Sequence, residues 1–150
     1  MKIVLTLCLT MKIVLASDRS FQPASHEDPR NPGVFKKILM EKYDFFDGTP
    51  QMINWAKLPA GKSFEPHYHE DMQEVFIIVS GTPLMEVFLR PELSGQSDTK
   101  PIRTRLNPGD VLVVDPNEVH VMINSTDDAV EYVVMGIAGN KNGKTVRMVG

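Results

Sequence analysis

Short runs of alternating apolar and polar residues, separated by turn-forming residues, follow one another through most of the chain. Such alternation directs every second side chain of a strand to one face, so that one face is buried and the other is solvated. Clusters of Pro, Gly, Asn and Asp mark the turns, for example at 107–110 and 115–117. Regular short strands with such turns are typical of an all-β sandwich or barrel. The predicted strands are residues 52–58, 63–68, 74–79, 84–89, 102–106, 111–114, 119–123 and 130–137.

Three further segments are less regular. Residues 34–46 mix apolar and charged positions and are predicted to form either a strand followed by a turn or a short helix. Residues 90–101 are polar, with two prolines and a glycine, and are predicted to be an exposed loop. The tail, 139–150, is predicted to be a loose turn and a final edge strand.

The first 33 residues differ from the rest, and we interpret them as a leader followed by an extended arm. The motif MKIVL occurs twice, and residues 17–33 contain three prolines. One interpretation is a signal peptide cleaved near Ala16, which would give a secreted or periplasmic protein. The other, which we favour, is a cytoplasmic protein for which Met11 is a second start. Residues 34–150 then form a single domain.

The most informative stretch is GKSFEPHYHEDMQEVFIIVSG, at residues 61–81. His67 and His69 are two residues apart, so both side chains leave the same face of an extended strand. Glu74 begins the next alternating run and would converge with them if the two strands pair antiparallel. Two imidazoles and a carboxylate suit a divalent first-row metal ion.

A second ordered stretch, residues 106–124, places His120 at the start of an alternating strand. We predict that His120 is the fourth metal ligand. His26 lies in the arm, where we expect an exposed loop histidine; the alternative is that the arm folds over the pocket and His26 joins its outer shell.

The two stretches together resemble the two signatures of the cupin superfamily. The second stretch departs from the signature in the middle, because Pro116 lies one residue late and Glu118 stands where a glycine is usual. The resemblance covers about residues 50–138 and implies a double-stranded β-helix, or jelly-roll barrel. It also implies iron or manganese as the metal, and a homodimer. The matching patterns are Gly61-x5-His67-x-His69-x4-Glu74-x6-Gly81 and Gly109-x10-His120-x3-Asn124.

The ligand set favours a site with open coordination positions. Three neutral imidazoles and one carboxylate leave a net charge of +1 around a divalent ion. A structural zinc site usually uses cysteine, and the one cysteine, Cys8, lies in the leader. On a six-coordinate ion, two positions stay open for water, dioxygen or a chelating substrate. One Mn²⁺ or Fe²⁺ ion per chain fits best, with Ni²⁺, Co²⁺, Cu²⁺ and Zn²⁺ as alternatives.

Alternation also predicts what shares the pocket with the metal. If Glu74 and His120 point inward, so do Phe76, Ile78 and Met122. We predict that Phe76 and Met122 contact substrate; the alternative is that these side chains are barrel core, which we expect for Ile78. Glu65 and Tyr68 are candidate proton-transfer residues. Arg103 and Arg105 share a strand face, which we expect to be solvated; the alternative is that they bind an anionic substrate.

Composition excludes several classes of function. The formal charge of −3 gives no basic footprint for nucleic acid, a single cysteine allows no internal disulfide, and no apolar run is long enough to span a membrane. The leading hypothesis is a metal-dependent enzyme, of dioxygenase type, acting on a small organic molecule. The alternatives are a metal-assisted isomerase or lyase of a sugar or sugar phosphate, and a non-catalytic module that binds a metal or a small ligand.

Overall fold

A computed structural model describes residues 13–94, 100–140 and 142–148. The leader, with Cys8, and residues 95–99 of the predicted loop lie outside this range. The strands are β1 (Gln22–Pro23), β2 (Phe35–Glu41), β3 (Pro50–Leu58), β4 (His67–His69), β5 (Met72–Ser80), β6 (Leu84–Leu89), β7 (Ile102–Arg105), β8 (Val111–Val114), β9 (Glu118–Ile123), β10 (Val130–Ala138) and β11 (Thr145–Arg147). One helical turn, α1 (Pro91–Ser94), opens the polar segment after β6. Within the described residues, no helix is long and apolar enough to cross a membrane.

Two antiparallel sheets form the fold. The larger has the strand order β1-β2-β3-β10-β5-β8 and the smaller the order β11-β4-β9-β6-β7. Neighbours in each sheet are mostly distant in sequence, as in a jelly roll. The predicted all-β jelly-roll fold is therefore confirmed.

Most strands lie close to their predicted positions, with one clear exception. The ambiguous segment 34–46 forms strand β2 and then a 3-10 turn, Lys42–Asp44. The strand predicted at 63–68 is wrong, because Ser63 makes only an isolated bridge to Ile123 and regular pairing begins at His67. Pro66 just before β4 has no N–H to donate to a ladder, which accounts for the late start.

The core lies between the inward faces of the two sheets. Strand β10 runs between β3 and β5, and every second residue from Val130 to Ala138 is buried. Leu58, Ile78 and Met122 are among the most buried apolar side chains. Ile78 is thus a core residue, as expected.

The arm packs on the barrel. Strand β1 pairs with β2, and the buried Glu27 carboxylate accepts hydrogen bonds from the backbone N–H groups of Gly33 (2.6 Å) and Glu65 (2.9 Å). Arg147 on β11 donates to the carbonyls of Ser25 and Glu27. These contacts tie the arm to both sheets, since β2 belongs to the larger sheet and β11 to the smaller one.

Candidate metal centre and its cavity

The four predicted ligands converge from both sheets. His67 and His69 lie on β4, His120 on β9, and Glu74 on β5. All four are buried, and one ligand atom from each lies within 4.8 Å of those of the others.

The route by which the ligands converge differs from the expected one. Strands β4 and β5 do not pair: β4 pairs with β9, with His67 opposite His120, whereas β5 belongs to the other sheet. Glu74 therefore approaches the histidines face to face across the sandwich, because its strand turns into the opposite layer after β4.

Backbone carbonyls orient all three imidazoles. The Nδ1 atoms of His67, His69 and His120 lie 2.8, 3.2 and 3.2 Å from the carbonyl oxygens of Glu65, Lys144 and Glu118. A carbonyl can only accept, so each Nδ1 carries the hydrogen and each neutral ring keeps its lone pair on Nε2. Second-shell contacts of this kind are the usual support of metal-ligating histidines.

The Nε2 atoms face a carboxylate rather than a hydrogen-bond donor. Glu74 Oε2 lies 3.0 Å from Nε2 of His120 and 3.3 Å from Nε2 of His69. With neutral rings, lone pairs meet lone pairs there, and Nε2 of His69 is buried without a hydrogen-bond partner. A cation between these atoms satisfies all of them, so the residues present fit a divalent metal ion.

Burial and neighbouring groups shift the pKa values of three of the ligands. Burial opposes ionisation of Glu74, but the imidazoles of His120 and His69 close to its carboxylate outweigh burial and hold the pKa of Glu74 well below its ordinary value. Burial, together with the nearby His120 and His26, places the pKa of His67 well below its ordinary value. Burial also disfavours charging His69, but its contact with Glu74 prevails and raises its pKa. An ionised carboxylate and at least one firmly neutral imidazole are the forms that bind metals.

A cavity of about 410 Å³ adjoins the cluster. Its walls include His67, His69, Glu74 and Phe76, so the expected position of Phe76 in the pocket agrees with the structure. Met122 does not line the cavity, because two residues beyond His120 strand β9 is already inside the core and the side chain is fully buried.

The two proton-transfer candidates also lie outside the cavity lining. Tyr68 points to the opposite face of β4 from the histidines, where the Arg90 guanidinium lies 4.3 Å from its ring centre. Glu65 contributes through its backbone, which accepts from His67 and donates to Glu27. Neither side chain is placed to act on a molecule in the cavity.

The rest of the cavity lining, here called the second wall, comes partly from the arm and partly from β2, β3 and β10. The His26 ring stacks on His67 with a centroid separation of 4.1 Å and lines the cavity. The expectation of an exposed loop histidine is therefore wrong, since the packed arm carries His26 over the pocket. Its Nε2 lies 3.2 Å from the Glu27 carboxylate.

Three polar residues of this wall were not identified from the sequence: Lys36 on β2, Asn54 on β3 and Tyr132 on β10. Burial, reinforced by the charges of Glu74 and Glu27, raises the pKa of Tyr132, so the phenol stays protonated as a hydrogen-bond donor. The alternation of β10 would have placed Tyr132 on the buried face. No such signal exists for Lys36, because β2 lacks a clear alternation.

The unusual turn of the second signature is accommodated without glycine. Asn117 adopts a left-handed conformation (φ 69°), which asparagine tolerates better than most residues. Its N–H donates to the carbonyl of His69 at 2.6 Å, so this turn supports a ligand strand.

Arg103 and Arg105 are both exposed on β7, as expected. Arg103 pairs with Glu86 at 2.8 Å, and Arg105 donates to the carbonyl of Thr82. Neither lines the cavity, so neither binds an anion there.

Comparison with solved structures finds the same fold in several proteins. A predicted oxalate decarboxylase from Thermotoga maritima is 22% identical, with a TM-score of 0.67 over 85% of this chain and 99% of that one. The polyketide cyclase RemF from Streptomyces resistomycificus is 16% identical, with a TM-score of 0.65 over 94% of this chain and 87% of that one. A recombinant oxalate oxidase solved with glycolate is 16% identical, with a TM-score of 0.64 over 84% of this chain and 59% of that one. At these identities the likeness concerns the fold alone.

No protein with a curated description is significantly similar in sequence. The profile of the cupin domain family matches residues 54–136, which is more than half of the chain and includes all four candidate ligands. Together with the jelly-roll fold, this match shows that the chain belongs to the cupin domain family.

Proposed function

We propose that this protein is a metal-dependent enzyme that oxidises or cleaves a small organic molecule in the cavity beside His67, His69, Glu74 and His120. The observation that carries the proposal is the buried three-histidine, one-glutamate cluster, whose Nε2 atoms lack donors and which adjoins a cavity large enough for a small molecule. Bound iron or manganese would supply Lewis acidity and reactivity with dioxygen to a substrate held there.

The protein's own residues determine how a substrate is held. Phe64 and Phe76 line the cavity beside the ligands and make this part of its wall apolar. Tyr132, kept protonated by burial, offers a hydrogen-bond donor to a substrate oxygen. The carbonyls bonded to the Nδ1 atoms keep the imidazoles fixed while a substrate enters.

The alternatives differ in what they require. An isomerase acting on a sugar phosphate needs a cationic group for the phosphate, and Arg103 and Arg105 on β7 lie outside the cavity, which counts against that version. A lyase or isomerase of another substrate differs from the proposed enzyme in needing no oxygen. A non-catalytic binding module requires only the metal centre and differs from both in having no turnover.

The first test is metal content, by elemental mass spectrometry on wild type and on the double variant His67→Ala/His69→Ala, both purified without chelators. We expect about one transition-metal ion per wild-type chain, in line with the single cluster among the described residues, and none in the variant. The variant Arg103→Ala/Arg105→Ala, altered on the exposed face of β7, serves as the matched control and should retain the metal.

The second test is oxygen uptake by the iron- and manganese-loaded protein with a panel of small hydroxy and oxo acids, with products identified by mass spectrometry. Consumption of oxygen that requires His67 and His69 supports the proposal. Equal turnover without oxygen would replace it with a lyase or isomerase. Metal binding without any turnover across the panel would favour the binding module.

A further inference from the structure

The second wall carries a cation that has no hydrogen-bond or ion-pair partner among the residues that the structure describes. Lys36 lies on β2, is half-buried and lines the cavity. Across residues 13–94, 100–140 and 142–148, its ammonium group makes no hydrogen bond or ion pair. Burial lowers the pKa of Lys36, while the charges of Glu74 and Glu41 favour the ammonium form. An ammonium group that faces a cavity without a protein partner is available to form a charge-assisted hydrogen bond with an anionic ligand there.

A second polar group beside Lys36 also lacks a partner. Asn54 on β3 stands opposite Ile38, whereas Lys36 stands opposite Ala56, so the two polar residues are diagonal neighbours on one face of the sheet. Asn54 is only 3% exposed and lines the cavity. Its Nδ2 contacts the Met52 sulfur at 2.8 Å, but its Oδ1 has no hydrogen-bond partner.

The charges around the cavity also favour an anion. Its lining contains two lysines, Lys36 and Lys42, and two glutamates, Glu41 and Glu74, which balance one another. A divalent ion at the metal centre would add two positive charges, of which the buried Glu27 carboxylate behind His26 offsets one, so the cavity stays positive. Lys42 lies near the ring of Tyr43, which is 88% exposed and therefore marks the mouth. Lys36 is the lysine placed inside.

We propose that Lys36, beside Asn54, binds the carboxylate of a small organic acid whose other oxygen-bearing end reaches the metal centre. This assignment rests on the proposed function and names its substrate class. The acid spans the cavity: one end at the histidines and Glu74, and the other at β2 and β3. The unpaired Oδ1 of Asn54 is an acceptor, so its partner is a hydroxyl group that the acid carries beside that carboxylate and not the carboxylate itself.

The test is isothermal titration calorimetry on manganese-loaded protein, with acetate and with the dicarboxylates oxalate, malonate, succinate and glutarate. Wild type is expected to bind the dicarboxylate whose length matches the span at least about tenfold more tightly than acetate, as a charge-assisted hydrogen bond predicts. Lys36→Met should reduce that affinity to the acetate level, and Lys36→Arg should restore part of it. Manganese content is measured after each titration to show that the ligand has not removed the ion.

Lys37→Met is the matched control. Lys37 is the next residue on β2 but points away from the cavity, where its ammonium donates to the carbonyl of Ala16 at 2.9 Å. Its loss changes the net charge by the same amount and should leave the dicarboxylate preference intact. An equal loss in Lys37→Met and Lys36→Met would mean a general charge effect and would overturn the assignment.

Manganese uptake by the wild type distinguishes a failure of this inference from a failure of the proposed function. If wild type takes up no manganese, the metal centre fails and the inference with it. If manganese binds but no dicarboxylate exceeds acetate, or the preference persists in Lys36→Met, the inference alone is overturned.

Discussion

The two walls of the cavity are built on different principles. On the metal-binding wall, three histidines and Glu74 come from regular strands, and the histidine Nδ1 atoms are all satisfied by backbone carbonyls. On the second wall, His26 comes from the arm, and Asn54 Oδ1 is buried without a hydrogen-bond partner among the described residues. Lys36 faces the cavity from the same wall. The polar atoms of the metal-binding wall therefore need only a metal ion as a partner. Those of the second wall need a bound small molecule. We infer that the first wall determines the chemistry and the second the substrate.

The largest expected effect is on the metal-binding wall, from Glu74→Gln. The amide has nearly the shape of the carboxylate but no charge to balance the ion. We expect metal affinity to fall by more than about 100-fold, since loss of a group that merely supports a ligand already costs up to that much. Competition with a fluorescent chelator measures the affinity. Glu86→Gln, which loses a carboxylate outside the cavity on β6, is the control. Undiminished affinity in Glu74→Gln would remove Glu74 from the ligand set.

The next effect concerns Asn124, which holds the end of ligand strand β9. Its buried Nδ2 lies within hydrogen-bond distance of the carbonyls of Leu58, Pro59 and Asp128, and its Oδ1 accepts from Thr126. Asn124→Ala should lower the free energy of unfolding by about 2–3 kcal/mol, because these groups lose a partner in a buried site. Urea denaturation measures it.

Asn107→Ala, at an exposed turn, is the control for Asn124→Ala and should change stability by less than about 0.5 kcal/mol. Below its melting temperature, the Asn124 variant should still bind one metal ion. Loss of metal from the folded variant would contradict the view that Asn124 stabilises the strand without taking part in the chemistry.

A smaller effect, on the free energy of unfolding, is expected from Glu27→Gln, in the arm that carries His26 of the second wall. Burial raises the pKa of the Glu27 carboxyl, but hydrogen bonds from His26, Glu65 and Gly33 outweigh it and the pKa lies below its ordinary value. The resulting stability is present above the unfolded-state pKa and is lost as pH falls through the folded-state pKa. Glu27→Gln should cost about 1–2 kcal/mol at neutral pH and abolish this part of the acid dependence.

Chemical denaturation across the acidic range, with hydrogen exchange of residues 20–33, checks the Glu27 prediction. Asp28→Asn, the next and more exposed carboxylate of the arm, is the matched control. If Glu27→Gln left arm exchange unchanged, Glu27 would not be what ties this wall to the barrel. Faster hydrogen exchange in the arm of Glu27→Gln, with an unchanged metal content, would show that the second wall can loosen without affecting the metal centre.

The sequence could predict the features that depend on residues close together in the chain, but not those that depend on distant residues. Alternation identified most strands, because a residue's face depends on local chain geometry alone. The pair His67 and His69, the spacing to Glu74 and the separate His120 were enough to predict the ligand set. The antiparallel pairing of the first two ligand strands, which was the condition considered for their convergence, does not occur, since pairing partners depend on the layer into which each strand turns. Pairing of β4 with β9 joins residues far apart in sequence.

The sequence by itself therefore determined the all-β fold and one wall of the site, because short-range spacing and alternation encode both. Only the tertiary structure decided the other wall. It brought His26 from a proline-rich arm, turned Lys36 inward from a strand without clear alternation, and excluded Met122 and Tyr68 from the cavity. These outcomes depend on how the arm and the two sheets pack around the pocket. That packing brings together residues far apart in the sequence, and no local pattern of residues encodes it.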